Sequence, residues 1–373
     1  MATLDERLAA ADGRPTGFDY LRILLACSVV AFHSLSVSYG FAYSVPFLQM
    51  PVIHAACILV LPMFFSLSGF LVSGSLDRTR TLFGFLGLRF IRIYPALTVE
   101  VLLSAFILGP IFTVLPLADY FSHHTFYRYL VNVTGHISFD LPGVFETNPF
   151  PRTVNGQLWT VPYELYCYFA LTALAFVRLA RRPGTLLTAT VALQICIAVR
   201  RAISDPDAFW YGRFPNHVAG SELVVAFLAG VLVYRFKDRL PFSRAHMLGS
   251  LALAFVLFSL PAGEYLGVFV AAYATVCLGV TNVKKVHLLR GADYSYGVYL
   301  YGWPIQQALV ATGDWARHAV VNLVASLAIA FAIAGFSWHM IEKPALQLRG
   351  PLKRLEERWM RLWKRSPTVA SSA

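Results

Sequence analysis

Two residues of the first long apolar run are chemically expensive where they stand. Arg22 and His33 lie in FDYLRILLACSVVAFHS, eleven positions apart. At about 100° per helical residue this spacing falls about 20° from a whole number of turns. The two therefore share a face, roughly 16 Å apart along the axis. Ionisable side chains are rare inside membrane helices, where they mark substrate paths and proton relays. An imidazole can take or give a proton near neutral pH. A packed histidine bonded to a neighbouring helix is the plainer reading of His33.

Glu164 closes the segment NGQLWTVPYE, where a later apolar run begins. A carboxylate beside an imidazole fixes its tautomer and raises its basicity, so Glu164 is a candidate partner of His33. It is equally a candidate helix cap, because Pro162 suits a helix start. Arg89 and Arg92 stand three apart in FLGLRFIRIYPAL and point the same way on a helix. Paired guanidiniums suit phosphates; ordinary charge anchoring at the inner interface explains them as well. Ser66, Ser68, Gly69, Ser73 and Gly74 are small, which permits close helix contact or leaves room for a ligand.

GxSxG, P-loop and HExxH patterns do not occur, which removes the serine-hydrolase, NTPase and zinc-protease readings. The five cysteines form no CxxC pair, and His123–His124 has no third ligand nearby, so no metal site is expected.

The elements that must position these residues are membrane helices. Of 373 residues 57% are apolar and only 14% charged, with a mean hydropathy of +0.59. A soluble domain has about a quarter charged residues. The fold class expected is an all-α integral membrane protein of about ten transmembrane helices, near 19–39, 52–75, 93–115, 160–179, 186–204, 219–235, 246–261, 265–282, 292–312 and 319–341. The polar segment 1–18 lacks the design of a secretory signal, so the first run reads as a spanning helix.

The net charge is +11, but no nucleic-acid module accompanies it. With the N-terminus inside, alternate loops hold 25 of the 31 Lys and Arg on the inner side and 6 on the outer side. That asymmetry places both termini in the cytoplasm. Arg200 and Arg201 fit it least well. Arg22 then lies near the inner surface, while His33 and Glu164 enter the outer half of the bilayer. The loop 116–158 falls outside, and its aromatic and proline content predicts a packed cap over the bundle. The tail 342–373 carries Leu352, Leu355, Trp359, Leu362 and Trp363 on one face and basic residues opposite. It reads as an amphipathic helix on the inner leaflet, followed by a disordered SPTVASSA end.

Taken in order, FDYLRILLACSVVAFHS, FFSLSGFLVSG, LRFIRIYPAL, NGQLWTVPYELYCY, DYSYGVYLYGWPIQQ and WHMIEKPAL resemble the membrane acyltransferase-3 family over roughly residues 18–346. The resemblance implies a bacterial inner-membrane enzyme that O-acylates exported or lipid-linked carbohydrate. Its donor would be cytoplasmic acyl-CoA, acetyl-CoA by default, with no permanently bound cofactor. The family's Arg-x10-His pattern falls on Arg22 and His33, its Arg-x-x-Arg pattern on Arg89 and Arg92, and its Trp-to-Glu stretch on Trp159 and Glu164. Many members carry a histidine where this chain has Gly302, and no hydrolase-like domain follows here, so a separate periplasmic transfer protein would complete any relay that needs one. On this reading Arg22, Arg89 and Arg92 hold the donor's phosphates, His33, oriented by Glu164, acts as base on the hydroxyl or carries the acyl group itself, and Asn155 or Trp159 donates to the developing oxyanion. A transporter or flippase of a small acid or lipid-linked sugar is the alternative, since polar groups strung across a bundle serve that too.

Overall fold

The computed structural model describes residues 2–211, 218–284, 286 and 292–365. Arg213, Lys285, Arg290 and the SPTVASSA end lie outside the described residues. The regular secondary structure of the described residues is helical, with two isolated β-bridges, Thr3 to Pro241 and Thr113 to Val144.

In chain order the helices are α1 (Leu4–Ala9), α2 (Gly17–Tyr39), α3 (Phe41–Leu48), α4 (Pro51–Arg78), α5 (Leu82–Leu103), α6 (Gly109–Phe112), α7 (Leu117–Ser122), α8 (His124–Leu130) and α9 (Val161–Phe176). The second half contains α10 (Pro183–Ser204), α11 (Pro206–Tyr211), α12 (Gly220–Arg235), α13 (Arg244–Ser259), α14 (Glu264–Gly279), α15 (Ser295–Ala311), α16 (Ala319–Ser337), α17 (Lys343–Gln347) and α18 (Arg349–Arg365). Among the described residues five continuous helices are long and apolar enough to cross a membrane: Gly17–Tyr39, Pro51–Arg78, Leu82–Phe112, Pro183–Ser204 and Ala319–Arg358. This is the architecture of a multi-pass membrane protein, in which the backbone satisfies its own hydrogen bonds.

The third expected helix begins at Leu82 rather than near 93. Thr81 caps it, its hydroxyl accepting from the Gly84 N–H at 3.0 Å. Arg89 and Arg92 therefore lie two to three turns inside a helix, not at its mouth. Two π turns interrupt the long helices, at Ser104–Leu108 and Trp338–Glu342. Each stands beside or contains a buried carboxylate, Glu100 or Glu342.

The segment between α6 and α9 is packed: Tyr120, Phe126, Tyr129, Leu141, Val144, Phe145 and Val154 are buried in one core with α5 and α12. The tail also touches protein. Glu356 is buried and its carboxylate accepts from Thr81 Oγ1 at 2.5 Å, while Leu352 sits against Gly87. The side chains of Trp359, Leu362 and Trp363 lie outside the described set. Arg201, the misfit of the loop-charge pattern, is no loop charge. It is buried and paired with Glu264 across α10 and α14 at 3.0 Å.

The small residues of α4 answer their own question. A Cβ on Gly69 would stand 2.0 Å from the Phe227 carbonyl oxygen, and one on Gly230 would stand 2.0 Å from that of Ser66. Ser66 Oγ donates to the Ala226 carbonyl at 3.0 Å across the same contact. α4 and α12 thus meet backbone to backbone, as small residues allow in membranes. Gly69→Val should force these helices apart, at a cost of the order of the ~1–3 kcal/mol typical of overpacking or above it. Size-exclusion profiles and thermal melts in detergent check this: a lower melting temperature or loss of the monodisperse peak is expected, whereas Ser73→Ala on the same helix should leave both unchanged within error.

Candidate active site

Pro304 sits inside α15 and has no N–H to give the carbonyl four residues earlier. That carbonyl belongs to Leu300, and Asn155 reaches it, its Nδ2 donating at 3.0 Å. The other hydrogen of the same amide goes to Glu100 Oε1 at 2.8 Å, and Asn155 Oδ1 accepts from the Gln157 N–H at 3.2 Å. Glu100 is 1% exposed and also accepts from Ser104 Oγ at 2.8 Å. Asn155 is fully buried with both donors spent. It builds the site and has no hydrogen left for an oxyanion.

The segment Gly156–Thr160, a 3-10 turn, is thereby held inside the bundle against α2 and α15. Gln157 Nε2 lies 3.3 Å from His33 Nδ1, and its Oε1 accepts from the Trp303 N–H at 3.4 Å. Trp303 also presents its ring edge-on to His33, with centroids 4.7 Å apart. His33 lines a cavity of about 390 Å³ together with Cys57, Thr153, Trp159, Tyr299 and Trp303. Trp159 therefore faces the space that His33 faces. A Cβ at position 302 would stand 2.7 Å from Val30 Cγ2, so the space a histidine would need there is filled.

Glu164 is not brought to His33. It lines a second cavity of about 150 Å³, with Arg22, Arg89, Arg92, Ser68 and Tyr168. Its Oε1 accepts from the Tyr168 hydroxyl, and it lies in the field of all three guanidiniums. The expected His33–Glu164 pair dissolves because Glu164 is one full turn into the helix after the 3-10 segment. It is Gln157, in the segment itself, that meets the imidazole. An amide carries no charge signal in a sequence, so nothing in composition marks Gln157 out.

The three arginines differ in what they have left to give. Asp293 Oδ2 takes Arg22 Nη1 at 2.9 Å and Arg92 Nη2 at 2.6 Å. Arg92 Nη1 reaches Glu342 Oε2 at 2.9 Å. Asp293 Oδ1 accepts from Ser295 Oγ at 2.5 Å. Arg92 is thus committed to two carboxylates, which tie α2, α5, α15 and the second π turn together. Arg89 has no carboxylate partner among the described residues: its Nη2 donates to Ser75 Oγ at 3.1 Å and its buried Nε has no partner. It keeps unspent donors facing the smaller cavity.

Two residues stand between the two cavities. Tyr299 lines both, as does Leu61. The Tyr299 hydroxyl donates to the Gln157 carbonyl at 3.1 Å and lies 2.7 Å from Thr160 Oγ1. The arrangement is a guanidinium chamber and an imidazole chamber on either side of a tyrosine wall. No group of three or more His, Cys, Asp and Glu among the described residues has the arrangement of a metal site.

An acyltransferase domain model matches residues 16–339. The chain is 25% identical over 343 residues to an O-acetyl transferase of Shigella phage Sf6, covering 90% of this chain and 97% of that protein. It is 27% identical over 367 residues to nodulation protein 10 of Rhizobium leguminosarum bv. viciae, covering 92% and 96%. No solved structure matches.

The geometry separates two arginines that look alike in sequence. Arg92→Ala leaves buried Glu342 without its cation and Asp293 with Arg22 alone, and breaking a buried pair typically costs about 3–5 kcal/mol. Arg89→Ala strands no carboxylate. Thermal unfolding in detergent should show a large fall for the first and a small one for the second; equal falls would refute the assignment of Arg92 as the structural arginine.

Proposed function

The chain belongs to the acyltransferase-3 family, and from that premise we propose that it is a membrane O-acyltransferase moving an acyl group, acetyl by default, from cytoplasmic acyl-CoA to a hydroxyl of an exported or surface carbohydrate. The observation that carries this reading is the pair of chambers on either side of Tyr299, one holding Arg22, Arg89 and Arg92 and the other holding His33.

Ten crossings with both termini inside match the 25-to-6 partition of basic residues. Five of them are the long helices, and the remaining five are α9, α12, α13, α14 and α15, of 16 or 17 residues each. In that topology the arginine chamber opens toward the cytoplasm, where acyl-CoA is made. Arg89 offers its unspent guanidinium donors to the donor's phosphates, Arg22 stands beside it, and Arg92 holds Arg22 in register through Asp293. Guanidiniums are suited to this because their donors form a fixed fork. The pantetheine arm then extends past Tyr299 toward the outer chamber, beneath the packed segment 116–158.

In the outer chamber His33 takes the proton of the acceptor hydroxyl as its oxygen attacks the acyl carbon. Transfer through an acyl-His33 intermediate is the competing route. The likeness to the O-acetyl transferase of Shigella phage Sf6 supports a hydroxyl acceptor. The surroundings are lipid, and the membrane is the bacterial inner membrane; a separate periplasmic protein would receive the group if the final acceptor lies beyond reach.

Purified protein supplied with labelled acetyl-CoA and a candidate oligosaccharide should transfer label. His33→Ala should reduce transfer by about 10²-fold or more, the scale of a lost general base, without changing the protein's elution profile. Arg89→Ala should raise KM for acetyl-CoA about tenfold, as expected for a lost charge-assisted contact of ~1.4 kcal/mol or more, and leave KM for the acceptor unchanged. Full transfer by the His33 variant would refute the reading.

A further inference from the structure

The nitrogen that His33 offers to a substrate is set by the group on its other nitrogen. Nδ1 faces the Gln157 amide at 3.3 Å, and Nε2 has no hydrogen-bond partner among the described residues, on a ring that lines the cavity. Which end of the amide faces Nδ1 is decided by Trp303. Its backbone N–H can only donate, and it meets Gln157 Oε1 at 3.4 Å, so the amide nitrogen is left for His33. The Gln157 backbone is fixed on both sides, its N–H by Asn155 Oδ1 and its carbonyl by the Tyr299 hydroxyl. Gly302 leaves room for the amide, since even a Cβ there would be 3.6 Å from Gln157 Nε2.

We propose that Gln157 is the positioning residue of His33 and holds it at rest with its proton on Nε2, a tautomer that cannot deprotonate a hydroxyl from the cavity. To act as base, His33 needs its lone pair on Nε2 and its proton on Nδ1. The amide must then turn over so that Oε1 accepts from Nδ1–H, giving up only the 3.4 Å bond from Trp303. An amide can serve both tautomers in this way; a carboxylate can serve only the second. In the active tautomer the hydroxyl proton passes to Nε2 as the oxygen bonds to the acyl carbon. The C–S bond breaks, and the thiolate takes the proton from Nε2. The resting tautomer withholds this base from water while the thioester waits, which favours transfer over hydrolysis.

The inference rests on the acyltransferase reading but is tested apart from it. Gln157→Glu supplies a carboxylate that accepts from both Trp303 N–H and Nδ1–H, locking the base-competent tautomer. With acetyl-CoA and no acceptor, this variant should hydrolyse the thioester about tenfold faster than the parent, a fraction of the 10²–10⁴-fold that a positioned base supplies. Gln157→Leu, which holds neither tautomer, should lower kcat for transfer about tenfold with KM for acetyl-CoA unchanged. In the unaltered protein, ring-nitrogen NMR of labelled histidine, with His33 assigned by its loss in His33→Gln, should show Nε2 protonated and Nδ1 bare. A resting His33 protonated at Nδ1, or a Gln157→Glu variant with unchanged hydrolysis, would overturn the proposal. Loss of transfer in His33→Ala together with either result would leave the acyltransferase reading standing while removing the role of Gln157.

Discussion

A carbonyl that its own helix cannot satisfy organises this molecule. Proline at 304 removes the donor that Leu300 would otherwise meet, and a bare carbonyl in an apolar bundle costs several kcal/mol. Asn155 supplies the missing hydrogen and is itself gripped by the buried Glu100. The chain between the outer segment and α9 is thus drawn into the bundle. Gln157 then lies against His33, Thr160 against Tyr299, and Trp159 in the outer cavity. Three features of the site follow from one proline: the partner of the imidazole, the wall between the chambers, and the roof of the outer one.

The division of charge follows the same economy. Polar groups inside a bundle persist only where they pair. In the arginine chamber three guanidiniums stand with Asp293, Glu342 and Glu164, while Arg89 retains unspent donors. The histidine chamber is mostly aromatic and apolar, with His33 as its imidazole. A polyanionic head group suits the first environment and a thioester meeting a hydroxyl suits the second.

The helical architecture is legible in the sequence because apolar runs of spanning length leave no other backbone solution. Eight of the expected spans begin and end within three residues of a helix in the structure, among them α2, α4, α12 and α15. The start of α5 was hidden because LFGFLGLRF mixes glycines and arginine into its first turns, and the arginine pair looked like a boundary. Arg22, His33, Arg89 and Glu164 are legible because charge in an apolar run is conspicuous. Glu100 carries the same signal and is passed over, as is Asp293 at the edge of its helix. Pairing is the illegible part. Depth along two helices placed Glu164 level with His33, but depth says nothing of azimuth. A 3-10 segment before α9 changed which residue faces α2. Gln157 could be found only from geometry.

The central claim is that the arginine chamber and the histidine chamber serve opposite faces of the membrane. It is tested most directly in sealed proteoliposomes with uniformly oriented protein, labelled acetyl-CoA on one side and the carbohydrate acceptor confined to the other. Labelled acceptor should form when acetyl-CoA is on the side of the N-terminus, and none when the two substrates are exchanged. Equal labelling in both arrangements, or labelling only when both substrates share a side, would contradict the account.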